Sequence, residues 1–356
     1  MDGEKLNTLL TTVTDNAIKA YSEYGDQMLF ELNRWIAEPE QSRFLNGNSL
    51  DLLINSHRNH LGFINQVLES RDGTALVKAL PWFYHAYHSQ GVPFSYFVEK
   101  FEKWQQLILK TIPEIEALQL TQIYDWMLSA HEECCSLMEA GQEQGFIEMN
   151  NPFLQYIIAG NHRKAYSYAL NKVTTWQDFE QFFNQEAQPA LYQIGLLWQN
   201  GEVSVSTEHL ATAITNRVLI GLLMHLEPPE ITKEKVLVTC ATSEHHQIGS
   251  WMVATALEAD EWDATFLGAD APKSAILDYI SKESPKAVMI SVTMPYNIKK
   301  AREVLQEIQS LYPNIKTIVG GQALSFFDKP EEVLNADFTT SDYKAAIQQL
   351  NYWLAP

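Results

Sequence analysis

Glu244 and His246 are the residues of this chain whose types and spacing most directly suggest chemistry. They lie in SEHHQIG, a segment that follows the apolar run VLVTCAT and ends at Gly249. A loop histidine can ligate a metal, and a carboxylate two residues away can hold its other ring nitrogen and set the tautomer. Plainer explanations exist for each residue: a solvated histidine, an acid at a helix start and a glycine in a tight turn.

Two further segments also follow apolar runs directly. Ser291 is the last residue of the run AVMIS and is followed by Val292 and Thr293. Gly320 and Gly321 follow the run TIV. Ligands bind beyond the carboxyl ends of strands in open α/β sheets, so we expect the three loops to share one edge of a sheet. Taken singly, these segments are explained by a strand end and an ordinary turn. Taken together, their glycines would leave room for a bulky group between loop and sheet.

The three segments resemble the cobalamin-binding signature, which reads D/E-x-H-x-x-G, S-x-L and GG. In this chain 41 residues separate the first segment from the second, and 26 separate the second from the third. The resemblance implies that His246 replaces the cofactor's own benzimidazole as the lower cobalt ligand and that Glu244 is its hydrogen-bond partner. His245 is the rival ligand, but it falls out of the family's register.

The same resemblance implies a pocket for the displaced nucleotide tail of the cofactor. Its lining residues would be Gly249, Ser291, Gly320 and Gly321, with Thr293 at the position of the signature's Leu. The chain departs from the commonest form of the signature in two places. These are Glu244, where Asp is commoner, and Thr293.

Upstream, the stretch WQNGEVSVSTEH carries an indole and an adjacent carboxylate and imidazole. Asn200-Gly201 should end one helix and Ser204 or Ser206 should cap the next, so Trp198, Glu208 and His209 would converge at one end of a bundle. A core indole beside a solvated helix start is the plainer explanation. Given the cobalamin signature, the spacing resembles the cap of the CarH/LitR class of light-sensing cobalamin proteins.

In that class the Trp and Glu contact the adenosyl group of adenosylcobalamin. The resemblance implies that light breaks the cobalt–carbon bond, the adenosyl group leaves and the cap repacks. A second His, directly after the cap Trp, then takes the vacated cobalt face in CarH-type proteins. Here that position is Gln199, so His209, another histidine or water remain the alternatives.

Histidine and aromatic residues are concentrated in one part of the first 140 residues. They are the i, i+3 pairs His57/His60 and His85/His88, with Trp82, Phe83, Tyr84 and Tyr87. Three explanations remain open: an aromatic core with half-exposed histidines, a metal site, and a pocket for a planar tetrapyrrole. In the last, Arg58 or Arg71 would pair with propionates.

The whole arrangement resembles the photocobilins, in which a globin-like helical domain that binds a bilin is joined to a CarH-like cobalamin module. This implies biliverdin, or a related bilin, as a second chromophore. The residues assigned to its pocket are Trp82, Tyr84, His85, His88 and Arg58. Adjacent Cys134 and Cys135 are interpreted as structural rather than as thioether attachment points.

Periodicity along the chain predicts three domains. Residues 1–148 form an all-α, globin-like domain of six or seven helices, and residues 149–230 form a four-helix bundle that caps the cobalamin. In residues 231–356 five short β-branched runs alternate with helical patterns. This predicts a Rossmann-like (flavodoxin-like) parallel sheet with helices on both faces and right-handed crossovers.

Composition limits the partners and the location. The 356-residue chain has a net charge of −19, which disfavours binding to phosphate backbones, so no direct DNA binding is expected. It has no window of about 18 apolar residues and no signal-peptide pattern, so we expect no membrane span. Three cysteines suit a reducing, cytoplasmic location.

The sequence therefore predicts a photoreceptor rather than an enzyme. Its signal would pass through a light-dependent homo-oligomer or an unidentified signalling partner. Two alternatives remain open: a corrinoid methyl-carrier subunit of a methyltransferase system, and a heme-binding, globin-type sensor.

Overall fold

The computed structural model describes residues 1–141 and 151–354. Contacts group the chain into two compact units: the first comprises Met1–Tyr84, Gly91–Leu137 and Ile231–Pro356, and the second comprises His85–Gln90 and Met138–Glu230. The N-terminal helices and the C-terminal sheet thus belong to one unit. The division into three domains remains a prediction, and its first boundary, at 148–149, lies outside the described residues.

Eight α-helices occupy the described part of the N-terminal region, where six or seven were predicted. They are α1 (Gly3–Thr12), α2 (Asp15–Glu23), α3 (Gly25–Ile36), α4 (Leu50–Ser70), α5 (Gly73–His88), α6 (Phe94–Thr111), α7 (Glu114–Ser129) and α8 (His131–Gly141). Pro39–Phe44 forms a 3₁₀ turn. The all-α prediction is confirmed for this region, and likeness to globins in particular remains a prediction.

The extra helix boundary arises at Thr14, inside a stretch that periodicity reads as one helix. The Thr14 hydroxyl accepts a hydrogen bond from the Ala17 backbone N–H, which starts α2. The backbone N–H of Thr14 donates to the Gln119 side chain on α7, 2.9 Å away. Because this second contact is tertiary, helical periodicity alone does not reveal the break.

The second unit contains the four predicted bundle helices. They are α9 (Pro152–Ile158), α10 (His162–Leu170), α11 (Trp176–Phe182) continuing through the π-helical Phe183–Ala187 into α12 (Gln188–Gln199), and α13 (Val205–Leu223). Asn151 caps α9 by accepting from the backbone N–H groups of Phe153 and Leu154. Helix α9 therefore begins at Pro152, directly after its cap residue.

All five predicted strands form, in a fully parallel sheet. They are β1 (Lys235–Cys240), β2 (Asp263–Phe266), β3 (Ala287–Ser291), β4 (Lys316–Gly320) and β5 (Phe338–Thr339). The strand order is β2-β1-β3-β4-β5, the flavodoxin-like order. The helices between and after them are α14 (Ile248–Ala259), α15 (Lys273–Glu283), α16 (Ile298–Leu311), α17 (Pro330–Leu334) and α18 (Tyr343–Leu354).

The register brings the predicted loops to one edge of the sheet. Ser291 pairs with Cys240 on one side and with Gly320 on the other. Just past the strand end, the Val292 backbone N–H donates to the Gly320 carbonyl, 2.8 Å away. The carboxyl ends of β1, β3 and β4 therefore meet, as the sequence predicts.

Within the described ranges, we find no helix with the length and apolar character that a membrane crossing requires.

Gly321 is the glycine with the clearest structural requirement. Its φ is +112°, and a Cβ built on it would lie 2.2 Å from the Val292 carbonyl oxygen. We expect Gly321→Ala to lower the free energy of unfolding by about 2–4 kcal/mol. Denaturant unfolding of the cofactor-free chain measures this.

Gly249→Ala is the matched control, because a Cβ there meets no atom within 4 Å. It should leave the stability unchanged or raise it slightly, since Ala is the better helix former. Equal stability of the two variants would contradict the explanation of Gly321.

Candidate functional site

The site is built around one buried carboxylate. Glu244, in the loop after β1, is fully buried. Its Oε2 accepts hydrogen bonds from the backbone N–H groups of Thr293 and Met294, each at 2.9 Å, and from Asn297 Nδ2 at 3.2 Å. These donors all come from the segment that follows β3. The Glu244 carboxylate therefore ties the loops after two neighbouring strands together.

The other carboxylate oxygen holds His246. Glu244 Oε1 lies 2.5 Å from His246 Nδ1, and it also accepts from the His246 backbone N–H at 3.2 Å. Because a carboxylate accepts, Nδ1 carries the proton and donates it. The imidazole itself is 58% exposed. With this tautomer, Nε2 is the nitrogen with which the ring would bind a metal.

The charge of Glu244 is kept by its neighbours. Burial disfavours the charged carboxylate, but the hydrogen bonds and charge of His246 and the donors Met294 and Asn297 outweigh it and hold the pKa of Glu244 below its ordinary value. A charged carboxylate in turn makes the imidazole more electron-rich, which favours metal ligation.

A second set of contacts fixes the conformation of the loop after β1. Ser243 adopts the left-handed conformation, with φ +65°. Its backbone N–H donates to Asp270 in the loop after β2, at 2.7 Å, and its hydroxyl accepts from Lys300 Nζ on α16, at 2.6 Å. The Asp270 N–H donates to the Glu244 carbonyl. The loops after β1 and β2 are thus also linked.

The remaining residues of the predicted signature have distinct positions. Gly320 and Ser291 lie side by side at the ends of β4 and β3. The backbone N–H of Thr293 donates to Glu244. A sequence motif specifies side chains and does not reveal a backbone donor of this kind. Gly249 is exposed, and no atom lies within 4 Å of a Cβ placed there. No contact with a described residue thus requires glycine at 249, and the space is open to a ligand.

Sequence reasoning missed Asn297 and the backbone N–H of Met294. Asn297 is 1% exposed, and its Nδ2 also donates to the Ser243 carbonyl, at 3.2 Å. An Asn in PYN, between a strand and a helix, looks like a helix start in the sequence. Its buried role becomes visible only once β1 and β3 are neighbours.

His246 with Glu244 behind it suits a metal ion whose other ligands come from a cofactor rather than from the protein. In the parts of the chain that the structure describes, no three His, Cys, Asp or Glu side chains gather in a group that could hold a metal ion. A single exposed imidazole with a buried carboxylate behind it provides one axial ligand. A macrocycle that encloses its metal supplies the others, so a corrinoid fits these residues.

The bundle presents the predicted cap residues at a helix end and the next helix start. α12 ends at Gln199, Gly201 has φ +72°, and Ser204 caps α13. Glu208 Oε2 lies 2.5 Å from His209 Nδ1, and Glu208 Oε1 accepts from the Thr212 hydroxyl. The predicted boundaries of both helices are confirmed.

Trp198, on the last turn of α12, is half-buried. Its indole Nε1 is shielded from solvent and, within the described residues, makes no hydrogen bond. A buried N–H donor without an acceptor is uncommon in folded proteins. The donor is one that a ligand could satisfy.

The residues assigned to a bilin pocket are spread over two helices. Tyr84 is fully buried, stacks on Phe97 with 3.9 Å between ring centroids, and its hydroxyl lies 2.9 Å from His131 Nδ1. Trp82 packs edge-on against Phe326. These contacts, within the first unit, are those of a packed aromatic core.

Of the other three assigned residues, two also lie on α5 and one lies on α4. His85 and His88 belong to the segment that groups with the bundle, where His85 Nε2 lies 2.8 Å from Asn200 Oδ1. Arg58 is exposed on α4, within electrostatic range of Lys300. Arg71, the alternative propionate partner, pairs with Asp15 at 2.7 Å.

Two family models match the chain. One, described as a B12 binding domain, matches residues 234–346, and a second, also described as a B12 binding domain, matches residues 149–222. A curated relative, the HTH-type transcriptional repressor CarA of Myxococcus xanthus, is 25% identical over 152 residues, which are 43% of this chain. The chain spans about half the length of that relative, 51%.

Solved corrinoid proteins are also similar. The monomethylamine corrinoid protein of Methanosarcina barkeri is 18% identical, covers 57% of this chain and 97% of its own, and has a TM-score of 0.49. A cobalamin-binding protein of Desulfitobacterium hafniense DCB-2 is 17% identical, with the same coverages and a TM-score of 0.32. The family models identify residues 149–222 and 234–346 as B12 binding domains.

Replacing Glu244 by Gln is expected to lower the free energy of unfolding of the cofactor-free chain by about 1–3 kcal/mol, because an amide group would face donors that need an acceptor. The pKa of Glu244 lies below its ordinary 4.5 in the folded chain. Its stabilisation is therefore complete above that value and is lost as the pH falls through the folded-state pKa. Denaturant unfolding at pH 7 and in acid measures both effects.

Glu234→Gln, an exposed acid just before β1, is the matched control and should change little at either pH. A Glu244→Gln deficit that stays constant into acid would contradict the role of the charged carboxylate.

Proposed function

We propose that this chain, with its cobalamin-binding module, is a light sensor that holds adenosylcobalamin and uses His246 as the lower cobalt ligand. The observation that carries the proposal is the buried Glu244 carboxylate, which holds His246 Nδ1 at 2.5 Å on the sheet edge. Bound adenosylcobalamin would supply a cobalt–carbon bond that light can break. The protein residues bind the cofactor, orient it and respond to the change.

On the lower side, Glu244 fixes the tautomer and orientation of His246, and the donors Thr293, Met294 and Asn297 fix Glu244. Gly249 leaves its surroundings open, which supports the proposed place of the nucleotide tail beside Ser291 and the two glycines after β4. His245 is exposed and makes no such contact to a buried acid among the described hydrogen bonds, which favours His246 over it.

On the upper side, we assign Trp198, Glu208 and His209 to contacts with the adenosyl group. The unpaired Trp198 Nε1 supports this assignment, because a ligand acceptor would satisfy it. Loss of the group would remove the contacts that favour one position of the two helix ends. The populations of two cap positions would then shift, and the signal would leave through a change in oligomeric state or a partner. CarH-type proteins have a histidine at the position of Gln199. The candidates for the upper cobalt ligand after illumination are therefore His209, another histidine and water.

We also propose biliverdin as a second chromophore of the helical region, with Trp82, Tyr84, His85, His88 and Arg58 as candidate contacts. This part of the proposal is based on the resemblance to photocobilins. Tyr84 and His85 already have protein partners, His131 and Asn200, so bilin binding there would need these to move.

Other functions are distinguishable by experiment. A corrinoid methyl carrier would share the lower site but would not need a cap for an adenosyl group, and the buried Trp198 nitrogen favours the sensor. The CarA relative is by its name a helix-turn-helix repressor, yet a chain of charge −19 should not retain duplex DNA. A heme-binding sensor would give a Soret band with heme.

The first test is an absorption spectrum of the full chain, reconstituted in the dark with adenosylcobalamin and biliverdin, before and after green light. We expect a light-driven change in the cobalamin bands and a shifted red bilin band. His246→Ala should weaken cobalamin binding by at least about tenfold or leave the cofactor's benzimidazole on the cobalt.

His245→Ala is the matched control and should bind and respond like the unaltered chain. Unchanged binding and spectrum in His246→Ala would disprove the lower-ligand assignment. A cobalamin spectrum that light does not change, with binding intact, would favour the methyl carrier. Absence of a red shift would remove the bilin alone.

Trp198→Ala tests the cap. It should weaken adenosylcobalamin binding by about tenfold and hydroxocobalamin binding much less, because only the first cofactor carries the group that the indole contacts. Tyr192→Ala, 51% exposed on the same helix, is the control and should affect neither. Equal losses for the two cofactors would mean that Trp198 is only part of the bundle core.

A further inference from the structure

Lys100 lies where a charged side chain is least expected. It is on α6, it is 4% exposed, and its ammonium sits among three aromatic rings. The Nζ atom is 5.3 Å from the Tyr96 ring centroid, 5.4 Å from that of Phe97 and 5.1 Å from that of Phe101. Cation–π contacts attract the ammonium to the rings but supply no counter-charge, and an unpaired charge is costly to bury.

Among the described residues, no acid forms an ion pair with this ammonium. In the described parts of the chain, its Nζ makes neither an ion pair nor a hydrogen bond. The neighbouring acid on α6, Glu99, pairs with Arg43 instead, at 2.6 Å. Glu102 is exposed on the same helix. The burial of Lys100 without a counter-charge lowers its pKa to about 7.

Two histidines of α4 flank the cluster without supplying negative charge. His57 and His60 are buried, and burial together with the nearby Lys100 charge keeps their pKa values well below the ordinary range. His60 Nε2 lies 3.0 Å from the Tyr124 hydroxyl, and that hydroxyl lies 2.6 Å from the Tyr21 hydroxyl. Both histidines are therefore neutral, and Lys100 is the one cation of this group.

Two further polar atoms, on neighbouring residues of α6 and α4, make no hydrogen bond to any described residue. The indole Nε1 of Trp104, one helical turn from Lys100, is buried and makes no hydrogen bond to any described residue. His57 Nε2 is likewise buried and makes no hydrogen bond to any described residue. The Trp104 ring is 5.5 Å from the His60 ring, so these groups form one cluster. An unpaired ammonium and an unpaired indole N–H both require an acceptor.

We propose that the cluster of His57, His60, Lys100 and Trp104, here called the Lys100 cluster, is an internal binding site for a singly charged anion. The group bound is a halide or the carboxylate of a small apolar acid. The ammonium and the indole N–H donate to it, and the aromatic rings provide its apolar surroundings. Aromatic surroundings disfavour strongly hydrated divalent anions. The site needs neither cobalamin nor light.

The test uses the full chain without cofactors, titrated with iodide, benzoate or sulfate at constant ionic strength and pH 6, where the ammonium form predominates. Bound iodide should quench the fluorescence of the adjacent Trp104 saturably. Iodide or benzoate should also raise the thermal midpoint by about 4 °C near saturation, while sulfate should not do so specifically.

Two variants locate the effect. Lys100→Met removes the charge with little change in volume and should abolish the saturable quenching and the specific rise in midpoint. Lys110→Met, an exposed lysine at the end of the same helix, should titrate like the unaltered chain. Trp104→Phe should remove the saturable part of the quenching and keep part of the rise in midpoint.

A response to iodide alone assigns the site to halides, and a response to benzoate assigns it to carboxylates. Linear quenching, with midpoint changes equal in the unaltered chain and Lys100→Met, overturns the proposal and makes Lys100 a buried neutral amine. The titration of the unaltered chain decides between saturable and linear quenching even if Lys100→Met does not fold.

Discussion

The candidate site depends on a single requirement: a buried carboxylate must have its hydrogen bonds satisfied. Glu244 meets this with donors from its own loop and from the segment after β3, because both lie at the same edge of a parallel sheet. An unpaired charge there would cost several kcal/mol, so the loops cannot separate without losing stability. The orientation of His246 follows from this constraint rather than from its own packing, since the imidazole is largely exposed.

The N-terminal helices support the same segment from the other side. A side chain at Gly62 on α4 would meet the Tyr296 carbonyl at 3.4 Å, and Glu69 at the end of α4 pairs with both Lys299 and Arg302 of α16. Tyr296 precedes Asn297, which donates to Glu244. Helix α4 thus packs directly against the turn that completes the site. Its opposite side carries the two histidines of the Lys100 cluster.

Buried polar groups in the described parts of the chain differ in how they are satisfied. Around Glu244 each carboxylate oxygen has protein donors, so the folded chain alone accounts for it. Among the described residues Lys100 Nζ has only aromatic rings around it and Trp198 Nε1 makes no hydrogen bond, so folding alone leaves a cost. Features of the second kind point to ligands, because natural proteins rarely keep buried polar groups unpaired.

Residue patterns alone predict most of the helices, all five strands and the importance of Glu244 and His246. The five β-branched runs form five parallel strands, and Glu244 and His246 directly follow the first of them. Loops that follow parallel strands lie at the same edge of the sheet, so their proximity can be expected from the sequence. The fold was needed to reveal the helix break at Thr14, the roles of Asn297 and the Met294 N–H, and the packing of Tyr84 and Lys100. These depend on residues distant along the chain or on backbone donors, neither of which leaves a periodic pattern in the sequence.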